Sequence, residues 1–328
     1  MEFPKVSFII PVKDEEQTIR QCLDSLLKID YPQEEIEIIL AEGKSKDNTR
    51  KIIDEYTKKY SNIQVFDDTY GNKSKARNIC VQKSTGEFLM NYSGHAIAEK
   101  NLLKVLVSKF TSNEIAGVGC PNLTPDQDEI GKSIGKLLTG FMAGGKSNVF
   151  TQNTTFDKEK FVNHIPFVCY RKTIFDNVGY FDEKFQYGQD SEFNIRIIKA
   201  EYKILYTPET KVYLYKPTSL KKLFKKMILY GEARSKIIKK HPDQSNLSYT
   251  LPPIIFIIGP FALILLSVIT MYYDPLYFLL FALICYSILC LISSFLASKK
   301  IKDILIGLIA YPIIHFGYSI GLLKGISS

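Results

Sequence analysis

An abrupt change of composition near residue 250 constrains this chain more than any other feature. Up to about Lys240, charged and apolar residues are mixed as in a water-soluble α/β protein; from Leu251 onward the sequence is almost purely apolar. One chain with two such regimes needs two solvents, water for the first part and lipid for the second. The stretches 251–273 and 276–297 are each long enough to cross a hydrocarbon core of ~30 Å at ~1.5 Å per residue, and 304–323 is just sufficient. Asp274-Pro275 makes the first turn between them and Ser298–Asp303 the second.

Charge is distributed to match. The chain carries 42 Lys and Arg against 34 Asp and Glu, a net +8. The segment Lys216–Lys240 alone holds nine basic residues against the single acid Glu232, which equals that whole excess. A basic run directly ahead of an apolar tail points to anionic lipid headgroups and away from nucleic acid, which asks for a basic face on the folded domain. Within the run, Leu220, Leu223, Phe224, Met227 and Ile228 share one helical face and Lys221, Lys222, Lys225 and Lys226 the other, the pattern of a helix lying in the membrane interface. The positive-inside rule puts Lys221–Lys240 and Lys299–Lys302 in the cytosol and the Asp274 turn outside, giving three crossings with the last helix ending outside. The N-terminal MEFPKVSFIIPV lacks signal-peptide design, so the soluble part is expected to stay cytoplasmic on a multi-pass cell-membrane protein. Six cysteines without a C-x-x-C pair support neither zinc nor a disulfide framework.

The first 215 residues read as strands alternating with helices. Short runs of β-branched and aromatic residues at Val6–Val12, Ile36–Ala41, Ile63–Phe66, Phe88–Tyr92 and Ile115–Cys120 are separated by helical patterns, of which the first places Ile19, Cys22, Leu23, Leu26 and Leu27 on one face. That order implies parallel β-α-β units whose ligand sits beyond the carboxyl ends of the strands, where Lys13–Glu16, Glu42–Asp47 and Ser93–His95 fall. The glycine-rich stretch Gly131–Gly145 reads as a mobile loop or lid. Beyond it, strands are expected at Phe167–Tyr170, Lys203–Tyr206 and Lys211–Tyr215, and a helix from Asp190 to Ala200.

Five short motifs then occur in order: Ile10-Pro11-Val12-Lys13-Asp14-Glu15-Glu16, Ala41-Glu42-Gly43-Lys44-Ser45-Lys46-Asp47-Asn48-Thr49, Gly71-x-x-x-x-Ala76-Arg77-Asn78, Gly86-Glu87-Phe88, and Gly188-Gln189-Asp190-Ser191-Glu192. Over residues 5–240 the chain resembles family 2 glycosyltransferases, most nearly the succinoglycan-type exopolysaccharide branch. The resemblance implies a GT-A fold: a Rossmann-like mixed α/β sheet with helices on both faces over 1–215. An amphipathic interface helix and linker over 216–246 and transmembrane helices over 251–323 would follow. It implies an inverting enzyme moving one sugar from a nucleotide sugar, with a UDP-sugar favoured, to a lipid-linked polyprenyl phosphate or diphosphate acceptor.

On this resemblance Pro11, Val12 and Glu15 hold the nucleoside, and Glu42 stands where the family has an Asp that accepts from the base. Lys75, Arg77 and Ser93 are candidates for donor contact, as is Arg234 near the membrane. The family's metal motif, Asp-x-Asp, is Ser93-Gly94-His95 here, so a Mg²⁺ or Mn²⁺ ion would rest on His95 without the first carboxylate. Asp190 matches the family's general base, at a helix N-terminus where the dipole favours the ionised form. The chain has no Trp, so the Gln-x-x-Arg-Trp signature of processive synthases is absent, which favours transfer of one sugar. A non-catalytic membrane scaffold that binds nucleotide sugars is the competing expectation, motivated by the altered metal motif. A transporter is disfavoured, because the spans hold no acid or base except His315.

Overall fold

The computed structural model describes residues 3–123, 129–143, 156–215, 219–245 and 275–327, with Gly259, Ala262 and Leu265. The chain divides into two units: Met1–Pro125 with Gln152–Tyr215, and Asp126–Thr151 with Lys216–Ser328.

The first unit is built on an eight-stranded mixed sheet. Its strands are β1 (Val6–Val12), β2 (Ile36–Glu42), β3 (Ile63–Asp67), β4 (Phe88–Asn91), β6 (Ile115–Gly119), β8 (Lys160–Phe161), β9 (Val168–Arg171) and β10 (Lys203–Tyr206), in the order β3-β2-β1-β4-β9-β6-β10-β8. A separate three-stranded sheet joins β5 (Ala96–Ala98), β11 (Val212–Leu214) and β7 (Asn122–Leu123). The run in β1 is almost continuously apolar because helices cover both faces of the sheet. Phe8 and Ile10 join a core with α1 (Ile19–Leu26), while Ile9 joins a second core with α3 (Lys73–Lys83). Side chains alternate across a strand, so a strand buried on both sides reads as apolar throughout.

β1 to β4 run parallel, as the alternation predicts. β9 does not: it lies antiparallel between β4 and β6. β6 therefore points the same way as β4, and β10 pairs parallel with β6. All the parallel strands thus present their carboxyl ends at one edge. Helix α7 (Gln189–Lys199) leads into β10, so its N-terminus lies at that edge. The other helices of this unit are α2 (Thr49–Lys59), α4 (Leu102–Ser108) and α6 (Thr173–Val178).

The opposite edge is closed by a buried carboxylate. Glu37 accepts from Ser7 Oγ at 2.5 Å and from the backbone N–H of Thr85 at 2.9 Å, while Ser7 Oγ accepts from Gly86 N–H at 2.9 Å. The network holds the Gly86-Glu87 turn against β1 so closely that only glycine fits.

In the second unit, α5 (Glu129–Leu137) packs with α9 (Pro275–Ala297) and α10 (Ile301–Ser327). The expected mobile loop at Gly131–Gly145 is thus corrected over its described part. Ile134 and Leu137 are buried against these helices, and Lys136 pairs with buried Asp303 at 3.0 Å. α8 (Leu220–Lys240) is capped by Ser219, whose Oγ accepts from Lys222 N–H. Its apolar face is not left for lipid: Leu223 and Met227 are buried in a cluster with Ile314, Tyr318 and Leu322 of α10. α9 and α10 are the two described helices long and apolar enough to cross a membrane. The expected first span, 251–273, lies outside the described residues except for Gly259, Ala262 and Leu265.

A Cβ on Gly86 would stand 2.6 Å from Ser7 Oγ, 2.8 Å from Ser7 N and 2.9 Å from Lys5 O. Two of those three atoms belong to a buried backbone that cannot give way. Gly86→Ala is therefore expected to destabilise the protein by about 1–3 kcal/mol, read as a lowered thermal midpoint of the detergent-purified protein. Ala at the exposed residue Thr111 should leave the midpoint in place.

Candidate active site

The loops after β1 and β2 are laced together by reciprocal hydrogen bonds. Asp14 N–H donates to Ser45 Oγ at 2.9 Å and Asp14 Oδ1 accepts from Lys46 N–H at 2.7 Å. Glu15 N–H donates to Thr49 Oγ1 at 2.7 Å, and Glu16 N–H to Asp47 Oδ2 at 3.1 Å. Asp14 and Lys44 both take left-handed backbone at φ 53°, a conformation that L-residues adopt at some cost and that these bonds offset. The result is a fixed wall carrying Pro11, Val12 and Glu15 on one side and Glu42 on the other. Glu42 is buried, and its Oε1 accepts from Ser45 N–H at 2.6 Å.

Glu15 faces the turn that follows β4. Its Oε1 lies 2.7 Å from His95 Nδ1, and its Oε2 accepts from Thr18 Oγ at 2.8 Å. Burial would raise the Glu15 pKa, but the bonds from His95 and Thr18 and the charge of Lys73 outweigh it and hold the carboxyl below its ordinary range. An ionised carboxylate can only accept, so His95 Nδ1 carries the proton and a neutral ring leaves Nε2 as a lone pair. Gly94 is buried between them, where a Cβ would meet Val12 Cγ2 and Glu15 Cγ at ordinary contact distance. Ser93 is half-buried beside it.

A second group of residues assembles around α3 and α7. Arg77 is buried, and its Nε donates to Asn91 Oδ1 at 2.6 Å at the end of β4. Burial pushes its guanidinium below the usual arginine range, and the Asp190 carboxylate partly restores it. The same carboxylate acts on Tyr170 of β9. Asp190 is placed by the loop Phe181–Gly188, which α3 holds through side chains. Asn78 Nδ2 donates to Phe181 O at 2.9 Å and Asn78 Oδ1 accepts from Phe181 N–H at 3.0 Å. Asn72 Nδ2 donates to Glu183 O at 3.0 Å, and Ser74 Oγ donates to Phe185 O. Gly188, at φ 72°, turns the chain into the helix. Glu192 does not join the group: it is fully buried in an ion pair with Arg196, which donates to the carbonyls of Val178 and Tyr180.

Two polar atoms at this edge, Arg77 Nη1 and Gln189 Oε1, are buried with no hydrogen-bond partner. Lys75 instead lies over the Tyr70 ring at 4.1 Å, with Glu183 3.7 Å away. Arg234 is buried on α8 in the second unit. Sequence reasoning missed Lys73, which acts on Glu15 and lies 4.6 Å over the Tyr187 ring, and also missed Asn91 and Tyr170. Asn91 had one available signal, a polar residue closing an otherwise apolar strand.

Among the described residues no cluster of three His, Cys, Asp or Glu converges on one point. The donor set around His95, one imidazole nitrogen held by a carboxylate behind it, fits a cation shared with an anionic ligand. It does not fit a cation held by protein groups alone. A carboxylate behind a ligating histidine is a common way to fix its tautomer.

Because the Glu15 carboxyl is held below its ordinary range, the Glu15–His95 pair contributes stability that is complete above about pH 4.3. That stability is lost as the pH falls through the lowered value. Removing the imidazole leaves burial to raise the carboxyl pKa. In far-UV circular dichroism, the acid-unfolding midpoint of His95→Ala should therefore move to higher pH than that of the unmodified protein. An unchanged midpoint would show that the pair carries no such coupling.

Known proteins agree with this geometry. The family model described as Glycosyl transferase family 2 matches residues 7–179. A dolichyl N-acetyl-alpha-D-glucosaminyl phosphate 3-beta-D-2,3-diacetamido-2,3-dideoxy-beta-D-glucuronosyltransferase of Methanococcus voltae is 30% identical over 243 residues, 72% of this chain and 74% of that protein. The succinoglycan biosynthesis protein ExoA of Rhizobium meliloti is 24% identical over 247 residues, 74% of this chain and 73% of that protein. Among solved structures, the mannosyltransferase PcManGT of Pyrobaculum calidifontis, in complex with GDP-Man and Mn²⁺, superposes with a TM-score of 0.69 at 14% identity, covering 98% of this chain and 88% of that one. The fold is GT-A, and the chain is a glycosyltransferase that belongs to glycosyl transferase family 2.

Proposed function

We propose that this chain is a membrane-bound inverting glycosyltransferase that moves one sugar from a nucleoside diphosphate sugar to a lipid-linked acceptor at the cytosolic leaflet. The observation that carries the reading is the pair of orphaned buried atoms beside Asp190. Buried polar groups are almost always partnered, so Arg77 Nη1 and Gln189 Oε1 are suited to a polar ligand lodged next to that carboxylate. A glycosyl donor, with hydroxyls and a diphosphate, has groups of the required kinds.

Each residue then has a task. Pro11, Val12 and Glu15 form the nucleoside wall, with Glu42 as acceptor for a ring N–H of the base. Uridine diphosphate is the nucleotide to test first. Asp190 takes the proton from the attacking acceptor hydroxyl, with the Arg77 guanidinium close enough to feel its charge. A divalent cation, held by His95 through Nε2 with Ser93 beside it, would neutralise charge on the diphosphate leaving group. Lys75 is a further donor contact.

The lipid-linked acceptor is supported by the apolar helices and basic α8, and by the relative whose name specifies a dolichyl-phosphate-linked substrate. The acceptor side is open to test through mass spectrometry of lipid-linked glycans in a strain lacking the protein.

Asp190→Asn keeps shape and hydrogen bonding but removes the base. It is expected to lower kcat by 10²–10⁴-fold while leaving nucleotide affinity by calorimetry within about twofold. Equal turnover by the variant would remove Asp190 from the chemistry. Nucleotide binding by the unmodified protein with no transfer to any membrane lipid would instead assign a non-catalytic scaffold.

A further inference from the structure

The second unit contains a packing arrangement that bears on how the chain meets its membrane. α10 runs alongside α8 in the same direction. A Cβ on Gly317 would stand 3.1 Å from Met227 Cβ, one on Gly321 2.0 Å from Ile228 O, and one on Gly325 2.6 Å from Ser235 Cβ. Gly231 of α8 answers from the other side, 2.1 Å from Tyr318 O. Polar contacts keep the same register: Lys324 pairs with Glu232 at 3.0 Å, and Lys239 Nζ donates to Ile326 O at 2.6 Å. The second half of α10 is therefore sheathed by α8 along residues 316–326.

The first half of α10 is paired differently. Ser293 Oγ donates to Tyr311 OH at 2.9 Å, and Tyr286 OH lies 2.9 Å from His315 Nδ1. These contacts join Tyr286 and Ser293 of α9 to His315 and Tyr311 of α10. The start of α9, with Tyr277, Phe281 and Leu283, is exposed. α10 thus leaves α9 halfway along and follows a helix whose Lys221, Lys222, Lys225, Lys239 and Lys240 are all exposed. Lysines resist acyl-chain depth, which draws α8, and the part of α10 packed on it, toward the headgroups. The remaining face of α10 is an apolar stripe: Ile301, Leu305, Ile309, Phe316, Leu323 and Ile326 are exposed at helical spacing. An apolar stripe on one side and a lysine-bearing partner on the other is the arrangement of an interfacial helix pair on an anionic leaflet.

We propose that α10 does not cross the membrane. Together with α8 it forms a two-helix layer in the interface of an anionic leaflet, with its apolar stripe among the acyl chains. Lys324 and Ser327 then lie on the same side of the membrane as Lys222. The inference rests on the membrane association in the proposed function and not on its chemistry.

The test uses the full chain, expressed in a bacterial host, as Lys222→Cys and Ser327→Cys variants with the unmodified protein as background. Both positions are exposed, so neither substitution disturbs packing. A membrane-impermeant maleimide is added to intact cells and to inverted vesicles. Both variants should label above background in inverted vesicles and stay at background in intact cells. Labelling of Ser327→Cys in intact cells would overturn the proposal, as would failure to label in either preparation while Lys222→Cys labels. Recovery of the protein in the soluble fraction without detergent would overturn it together with the membrane reading, whereas loss of sugar transfer with correct labelling would count against the chemistry alone.

Discussion

The site depends on one interaction above others, the grip of α3 on the loop Phe181–Gly188. Parallel strands bring Glu15, Glu42 and His95 to one edge without help, because each follows a strand in the same half of the sheet. Asp190 comes from the other half, beyond the reversed strand β9. Its helix is delivered by a loop that has no strand ladder of its own. Asn78 supplies what a neighbouring strand would, donating to one backbone carbonyl and accepting from the N–H of the same residue, Phe181. Each such bond contributes only about 1 kcal/mol net, but leaving these buried backbone groups unpaired would cost more. The loop therefore has one stable seat, and Asp190 one position.

The electrostatics follow from that seat. Arg77 is buried with its Nε bonded to Asn91 and a carboxylate near it, while its Nη1 has no protein partner, so part of its charge is left uncompensated by protein hydrogen bonds. An arginine in that condition serves two ends. It partners the charge of Asp190, and it offers a fixed cationic donor to an anionic or hydroxyl-rich ligand. Sequence reasoning placed Arg77 on a helix face as a donor contact. The structure adds that the same guanidinium acts on the carboxylate expected to be the base, which couples the two functions through one residue.

The strands were legible because burial on both faces leaves a dense apolar run, and Lys203–Tyr206 has the bounds that the residues imply. The direction of β9 was not legible, since Val168–Arg171 has the same composition whether it runs with its neighbours or against them. Helix α5 was hidden for a different reason. Its glycines argue for a loop when only local propensity is weighed, and the groups that stabilise it, Tyr311 and Asp303, lie more than 160 residues away. Gly140 is there because Tyr311 OH would lie 2.2 Å from a Cβ. The Glu15–His95 pair was likewise assembled from two motifs that had each been given a separate role, 80 residues apart.

The apolar tail was the most constraining feature of the sequence, and the structure divides it. Composition alone passes both α9 and α10 as apolar runs of sufficient length. Their neighbours differ. α9 exposes most of its apolar surface, whereas α10 buries half of its own against a helix carrying exposed lysines. A lysine at bilayer mid-depth costs about 2.5–3.5 kcal/mol, so the exposed lysines of α8 favour the headgroup region. Glycines at 317, 321 and 325 bring the two backbones so close that α10 cannot move deeper without taking α8 with it. Hydropathy reads a helix one residue at a time, and here the depth of α10 is set by the charge of the helix it is packed on.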